Sequence, residues 1–260
     1  MKLNHLEIRE VFHLEFLRRL VRTVDPSHLV LKGGSNLRFF FKSIRYSEDM
    51  DMDIREIAVH VFRDKVMSIL NTKALTSTLR TFGIEEIVPP EISRSKQTET
   101  VQRFKIHLMT VSGEDLFTKL EFSRRGFDSS IKAEGVAQDV MSKYQLPPLI
   151  VPHYLIGSAC IQKINALVSR KEVQARDIFD LYTLSTQFGA KSFQLKKFSG
   201  AISLEEVSER IDSVHYQLYK DTVVSYLDME EQKAWDSREF WDEVRLQVIQ
   251  LVEKGLKENV

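Results

Sequence analysis

An apolar strand that runs into paired glycines, followed after a short gap by alternating acids, constrains this chain more than any other feature of its sequence. His28-Leu29-Val30-Leu31 reads as a strand that enters Lys32-Gly33-Gly34-Ser35, and Met50-Asp51-Met52-Asp53-Ile54 reads as a second strand. Asp49, Asp51 and Asp53 alternate with apolar residues, and successive strand side chains point to opposite faces, so the acids share one face and the other is left for the core. Glycine permits the tight turn and close backbone approach that a phosphate needs, and a helix start offers unpaired N–H groups to an anion. Carboxylates on one strand face suit a hard cation. Each piece alone has a plain structural explanation, a loop in one case and a solvated face in the other. Their order and spacing point to a seat for a cation and a polyphosphate.

Around this feature the pattern predicts an opening helix over residues 7–24, a helix from Asn36 to Lys42, and a long helix from about Glu56 to Thr81. Further strands are expected at Ile84–Val88, Val101–Val111 and Leu116–Phe122, with residues 125–152 as a loop. Beyond it the spacing turns helical, with a capping box at Ser203-Leu204-Glu205-Glu206 and a last helix after Asp236-Ser237. The fold class expected is α+β: an N-terminal domain over 1–149, with a mixed sheet flanked by helices, and a helical C-terminal domain over 150–260.

Composition narrows the partners. Lys plus Arg and Asp plus Glu number 37 each, so nucleic acid can be met only through a local patch such as Arg94, Lys96, Arg103 and Lys105 with Arg124 and Arg125. The single cysteine, Cys160, rules out an internal disulfide and a thiolate zinc cluster, and reads as a buried small residue. With no bilayer-length apolar window, the chain reads as a soluble, cytoplasmic protein without membrane partners.

A third carboxylate, Glu121 in Lys119-Leu120-Glu121-Phe122, completes a trio if its strand lies beside the acid-bearing strand. Three uncompensated carboxylates repel one another unless cations bind, which argues for Mg²⁺ or Mn²⁺ and for catalysis by metal-assisted phosphoryl chemistry. The metal pair is Asp49 with Asp51, or Asp51 with Asp53 in a shifted register.

These residues resemble the nucleotidyltransferases of the DNA polymerase β superfamily, and more narrowly the AbiEii/AbiGii toxin family. The likeness is carried by Gly33-Gly34, by Arg45-Tyr46-Ser47-Glu48-Asp49-Met50-Asp51, and by Lys163…Arg170…Arg176-Asp177-Ile178-Phe179-Asp180-Leu181. It implies a nucleoside triphosphate substrate gripped by Gly33, Gly34, Ser35, Arg45 and Ser47. Asp49, Asp51 and Glu121 would hold the metal, and Lys163 would meet phosphate, with Arg176, Asp177 and Asp180 building the cleft from the helical domain. It also implies a toxin of a toxin–antitoxin or phage-defence system, with tRNA or another RNA as acceptor and a cognate antitoxin protein as antagonist. Two alternatives stay open: a non-catalytic nucleotide- or protein-binding module on this fold, and transfer to a small molecule or a protein. Lys163, Arg170 and Asp177 are seven residues apart, on one face of a continuous helix or on two helices broken at Arg170-Lys171-Glu172.

Overall fold

The computed structural model describes residues 3–127, 130–187 and 203–257. The chain divides into two compact units, one of residues 1–39 and 46–154, the other of residues 40–45 and 155–260.

The first unit is built on a seven-stranded mixed sheet of order β3-β4-β5-β2-β1-β7-β6. In chain order it comprises α1 (His5–Thr23), β1 (Leu29–Lys32), α2 (Gly33–Phe40), β2 (Met50–Ile54), α3 (Val59–Leu70), α4 (Lys73–Arg80) and β3 (Ile84–Val88). These are followed by β4 (Val101–Thr110), β5 (Asp115–Ser123), β6 (Ile131–Gly135), α5 (Gln138–Lys143) and β7 (Ile150–Tyr154). β1 runs antiparallel to β2, whereas β2 and β5 are parallel.

A capping box fixes the start of α1: Asn4 accepts from the Leu6 and Glu7 amides, and the Glu7 carboxylate reaches back to the Asn4 amide. Val11, Phe12, Leu14, Phe16, Leu17 and Leu20 of this helix are fully buried. On the sheet, Met50, Met52, Leu120, Phe122 and Phe104 are equally inaccessible. Phe122 meets Phe62 of α3 edge-on at 4.7 Å and Phe104 at 5.8 Å, a geometry that adds quadrupole attraction to burial. One sheet face is thus tied into the core, and the alternation of β2 leaves its acids on the other.

Four local expectations need correcting. The helix after the glycine turn begins at Gly33 itself rather than at Asn36. The long helix over 56–81 is two, α3 and α4, parted at Asn71-Thr72, because apolar spacing continues across a break that only the backbone reveals. Residues 125–152 are not a loop: they carry β6, α5 and the start of β7, with Pro152 inside β7 opposite Ala133. Ser203 caps its helix through the Glu206 amide, but the reciprocal half of a capping box belongs to Asn4 and Glu7.

The second unit is helical: α6 (Ile156–Ser169), α7 (Ala175–Ser185), α8 (Leu204–Asp212), α9 (Tyr216–Thr222), α10 (Met229–Trp235) and α11 (Arg238–Lys257). The stretch Arg170-Lys171-Glu172 is therefore a break between helices. Trp241 stacks on Tyr219 at 4.5 Å and donates its indole N–H to the Val214 carbonyl, so its one polar atom is satisfied inside the core. Cys160 is buried in α6, and burial pushes its thiol up, away from nucleophilic character. No helix among the described residues is long and apolar enough to cross a membrane.

Candidate active site

Pairing between strands brings the predicted acids of the first unit together. Asp51 is the register partner of Glu121 on β5 and of Lys32 on β1, and Glu121 is the register partner of Arg103 on β4. Directly opposed residues point to the same side of a sheet. Lys32, Asp51, Glu121 and Arg103 therefore form one row across four strands, with two acids inside two bases.

Gly33 lies against this row. Its φ is +69°, and a Cβ placed there would come within 2.7 Å of Asp51 Oδ2, so the position demands glycine on both conformation and space. Gly33→Ala is expected to cost about 1–2 kcal/mol from the left-handed backbone alone, with a further loss from displacing Asp51. Urea unfolding would read it, and an unchanged midpoint would contradict the contact.

Gly34 and Ser35 are buried in the first turn of α2. The hydroxyls of Ser35 and Ser47 both donate to the Asp49 carbonyl, at 3.2 and 2.7 Å, and so fix the backbone that carries Asp49 into β2.

Electrostatics mark Asp51. Loss of solvent raises its pKa above the ordinary aspartate value, and Glu121 and Asp49 push the same way against Lys32 and Lys119. Asp49 places Oδ2 3.0 Å from the Lys119 ammonium, while its Oδ1 is buried without a hydrogen-bond partner. Glu121 Oε2 accepts from Arg103 Nε at 2.7 Å and lies 3.7 Å from Lys119. Asp53 is committed elsewhere: Lys32 Nζ is 2.5 Å from one oxygen, and the Tyr154 hydroxyl donates to the other at 2.7 Å. The expectation of uncompensated acids is thus corrected, since each has a basic neighbour.

No group of three or more His, Cys, Asp or Glu side chains among the described residues is arranged to hold a metal ion as it stands. Asp49 is aimed at Lys119 and Glu121 at Arg103, rather than at a common point. The donor chemistry nevertheless suits a hard cation: an orphaned carboxylate oxygen on Asp49, a carboxyl on Asp51 whose charge its neighbours disfavour, and Glu121 beside it.

In the second unit Arg45, Lys163, Asp177 and Asp180 converge. Arg45 grips Asp180 with Nη2 at 2.9 and 3.0 Å from its two oxygens, and Lys163 Nζ lies 2.6 Å from Asp180 and 3.1 Å from Asp177. Both aspartates are wholly inaccessible. Burial alone would raise the Asp180 pKa, but Arg45 and Lys163 outweigh it and hold the carboxyl below its ordinary range. Arg170 closes on Asp177 at 2.7 Å. Arg176 is exposed and does not pair with Asp180, whose carboxylate is taken by Arg45 and Lys163.

Among the basic residues proposed for RNA, Arg103 is bound to Glu121 and Arg94 to Glu91, while Arg124 donates to Gln102 and to the Ile57 carbonyl. Lys96 and Lys105 are exposed. Sequence reasoning assigned no role to Lys32 or Lys119 and sent Arg103 to RNA. Alternation in Lys119-Leu120-Glu121 was the one available signal, since it puts the lysine and the glutamate on one face.

The model of the family described as nucleotidyl transferase AbiEii toxin, of type IV toxin–antitoxin systems, matches residues 15–243, and the chain belongs to this family of toxin nucleotidyltransferases. Membership implies a nucleoside triphosphate substrate and an antitoxin partner.

Among solved structures the fold is similar to JHP933 from Helicobacter pylori, with a TM-score of 0.55 and 19% identity, covering 100% of this chain and 97% of that one. It is also similar to MenT4, a nucleotidyltransferase toxin from Mycobacterium tuberculosis, with a TM-score of 0.57 and 16% identity, covering 96% of this chain and 84% of that one. No curated protein sequence matches the chain.

Proposed function

We propose that the chain transfers a nucleoside monophosphate from an NTP to an RNA acceptor, tRNA foremost, using Mg²⁺ or Mn²⁺ held by Asp49, Asp51 and Glu121. The observation that carries this reading is the row Lys32-Asp51-Glu121-Arg103, with the glycine-led start of α2 pressed against its central acid. The first N–H groups of α2, from Gly33, Gly34 and Ser35, have no partner inside the helix and suit phosphate oxygens. Bound at the acids, a divalent cation would neutralise the triphosphate and stabilise the departing pyrophosphate. The acceptor hydroxyl oxygen bonds to the α-phosphorus as the bridging α–β P–O bond breaks. Pyrophosphate leaves, and the hydroxyl proton passes to a site carboxylate.

From the family resemblance, Lys163 is assigned to phosphate, its ammonium set by Asp177 and Asp180. Arg45 acts through Asp180, and Ser47 through the Asp49 backbone. Arg176, exposed on α7, is assigned to direct nucleotide contact.

The test is incubation with each α-labelled NTP, a divalent cation and a mixture of tRNA, small molecules and protein. Label migrating with RNA supports the proposal. Label on a small molecule or protein moves the acceptor class, and NTP binding without transfer to any acceptor refutes catalysis. If RNA is the acceptor, its affinity falls steeply with added salt, because phosphate contacts release counterions, and the exposed Lys96 and Lys105 contribute to that slope. A flat salt response, measured by filter binding, removes RNA.

A further inference from the structure

Lys119 stands between an acid just ahead of β2 and one on its own strand, β5. Its ammonium lies 3.0 Å from Asp49 Oδ2 on one side and 3.7 Å from Glu121 Oε2 on the other. The second contact follows from strand alternation along β5, and the first from the parallel pairing of β5 with β2, in which Met50 opposes Leu120. Only about a quarter of the lysine side chain is exposed.

We propose that Lys119 is the resident counter-ion of the carboxylate site, occupying the place a divalent cation takes between Asp49 and Glu121, so that cation entry requires its ammonium to withdraw. This rests on the reading of Asp49, Asp51 and Glu121 as cation ligands, and adds that a residue of the chain itself competes for them.

Four points single out Lys119. Arg103 also holds Glu121, but from β4, on the side of β5 away from Asp51, where it does not stand between the acids. Lysine carries one mobile charge on a flexible stem, whereas guanidinium makes a fixed fork, so Lys119 is the cation suited to leave. Asp49 is only half satisfied by it, since Oδ1 is buried without a partner, and a divalent ion that gathers several oxygens would use both. Lys105 is the register partner of Lys119, and the repulsion of like charges facing each other favours the ammonium's position toward Asp49. Once withdrawn, the ammonium needs an anion, and the incoming triphosphate supplies one. Cation and nucleotide therefore enter cooperatively, each favouring the state in which the lysine has left the acids.

The experiment is a Mn²⁺ titration followed by electron paramagnetic resonance, without nucleotide, on the wild-type protein, Lys119→Gln and Lys119→Arg. Lys119→Gln is expected to bind Mn²⁺ about tenfold more tightly or better, because a unit charge beside the site is gone, and Lys119→Arg, which keeps the charge on a less mobile fork, is expected to bind it more weakly than wild type. Mn²⁺ affinity that is equal or weaker in Lys119→Gln overturns the proposal while leaving the cation site intact. Mn²⁺ binding to none of the three proteins overturns both this proposal and the cation site. Should the glutamine variant fail to fold, acetylation of Lys119 in the wild-type protein serves instead. Adding Mg²⁺ should speed it as the amine leaves its carboxylates, and a slower or unchanged rate overturns the proposal.

Discussion

Asp51→Asn is expected to abolish nucleotide transfer while making the cation-free protein more stable. The rate should fall on the order of a thousandfold, about 4 kcal/mol of transition-state stabilisation, because the substitution removes charge from the acid at the centre of the row. Stability moves the other way. Burial, with Glu121 and Asp49, holds the Asp51 pKa above its unfolded value, so ionised Asp51 opposes folding. That penalty is absent when the carboxyl is protonated in both states, and it grows as pH rises from the unfolded toward the folded pKa. At neutral pH without divalent cations, thermal unfolding of Asp51→Asn should come later than wild type, and the gap should close in acid. A transfer rate near wild type would remove Asp51 from the chemistry, and a lower melting point would contradict the strain attributed to it.

Asp180→Asn is expected to destabilise the second unit by about 3–5 kcal/mol, since it leaves buried cations without their counter-charge. Arg45 loses the negative charge that draws three of its guanidinium hydrogen bonds, and Lys163 keeps Asp177 as its anion. The sign with pH follows from a depressed folded-state pKa. The contribution of Asp180 is complete above the ordinary aspartate value, about pH 4, and drains away as pH falls through the lower folded value. Wild-type stability measured by urea should therefore decline on the acid side more steeply than that of the variant. Parallel acid limbs, or a cost under about 1 kcal/mol, the range of exposed ion pairs, would show that the cluster carries little.

How much of this was written in the sequence depends on how local each feature is. The glycine turn and the alternation Asp49-Met50-Asp51-Met52-Asp53 are local, and they were legible with the strand face they imply. That Asp51 and Glu121 would be neighbours was conditional on strand pairing, and the parallel register of β2 and β5 supplies it. The bases were not legible. Arg103 is 18 positions from Glu121 in the chain and Lys32 is 19 from Asp51, and only register across β4, β5, β2 and β1 sets them in one row.

The choice between Asp49 and Asp53 was open for the same reason. Lys32 on β1 and Tyr154 on β7, the next strand beyond it, hold the two oxygens of Asp53, whereas one oxygen of Asp49 is without a hydrogen-bond partner. β7 was missed because prolines around 147–152 read as breaks, whereas Pro152 is accommodated within the strand, and β6, five residues with mixed charged and apolar character, gives no strand alternation to read. Of the C-terminal helices, α8 and α11 were plain from periodicity, with Val207, Ile211, Val244 and Val248 buried, but the face expected to run on through Val214 and Leu218 breaks after Asp212, Leu218 lies exposed on α9, and α10 was not foreseen.

The excursion of residues 40–45 has a bearing on dissection of the molecule. Because this hexapeptide leaves the sheet-bearing unit after Phe39 and returns at Tyr46, no single cut separates the two bodies. A fragment ending at Tyr154 would keep Arg45 but lose Asp180, its carboxylate, and a fragment starting at Leu155 would keep Asp180 without its guanidinium. Neither piece is a natural module. Swapping the helical half between relatives would succeed only if the hexapeptide travelled with it, spliced in at two distant places.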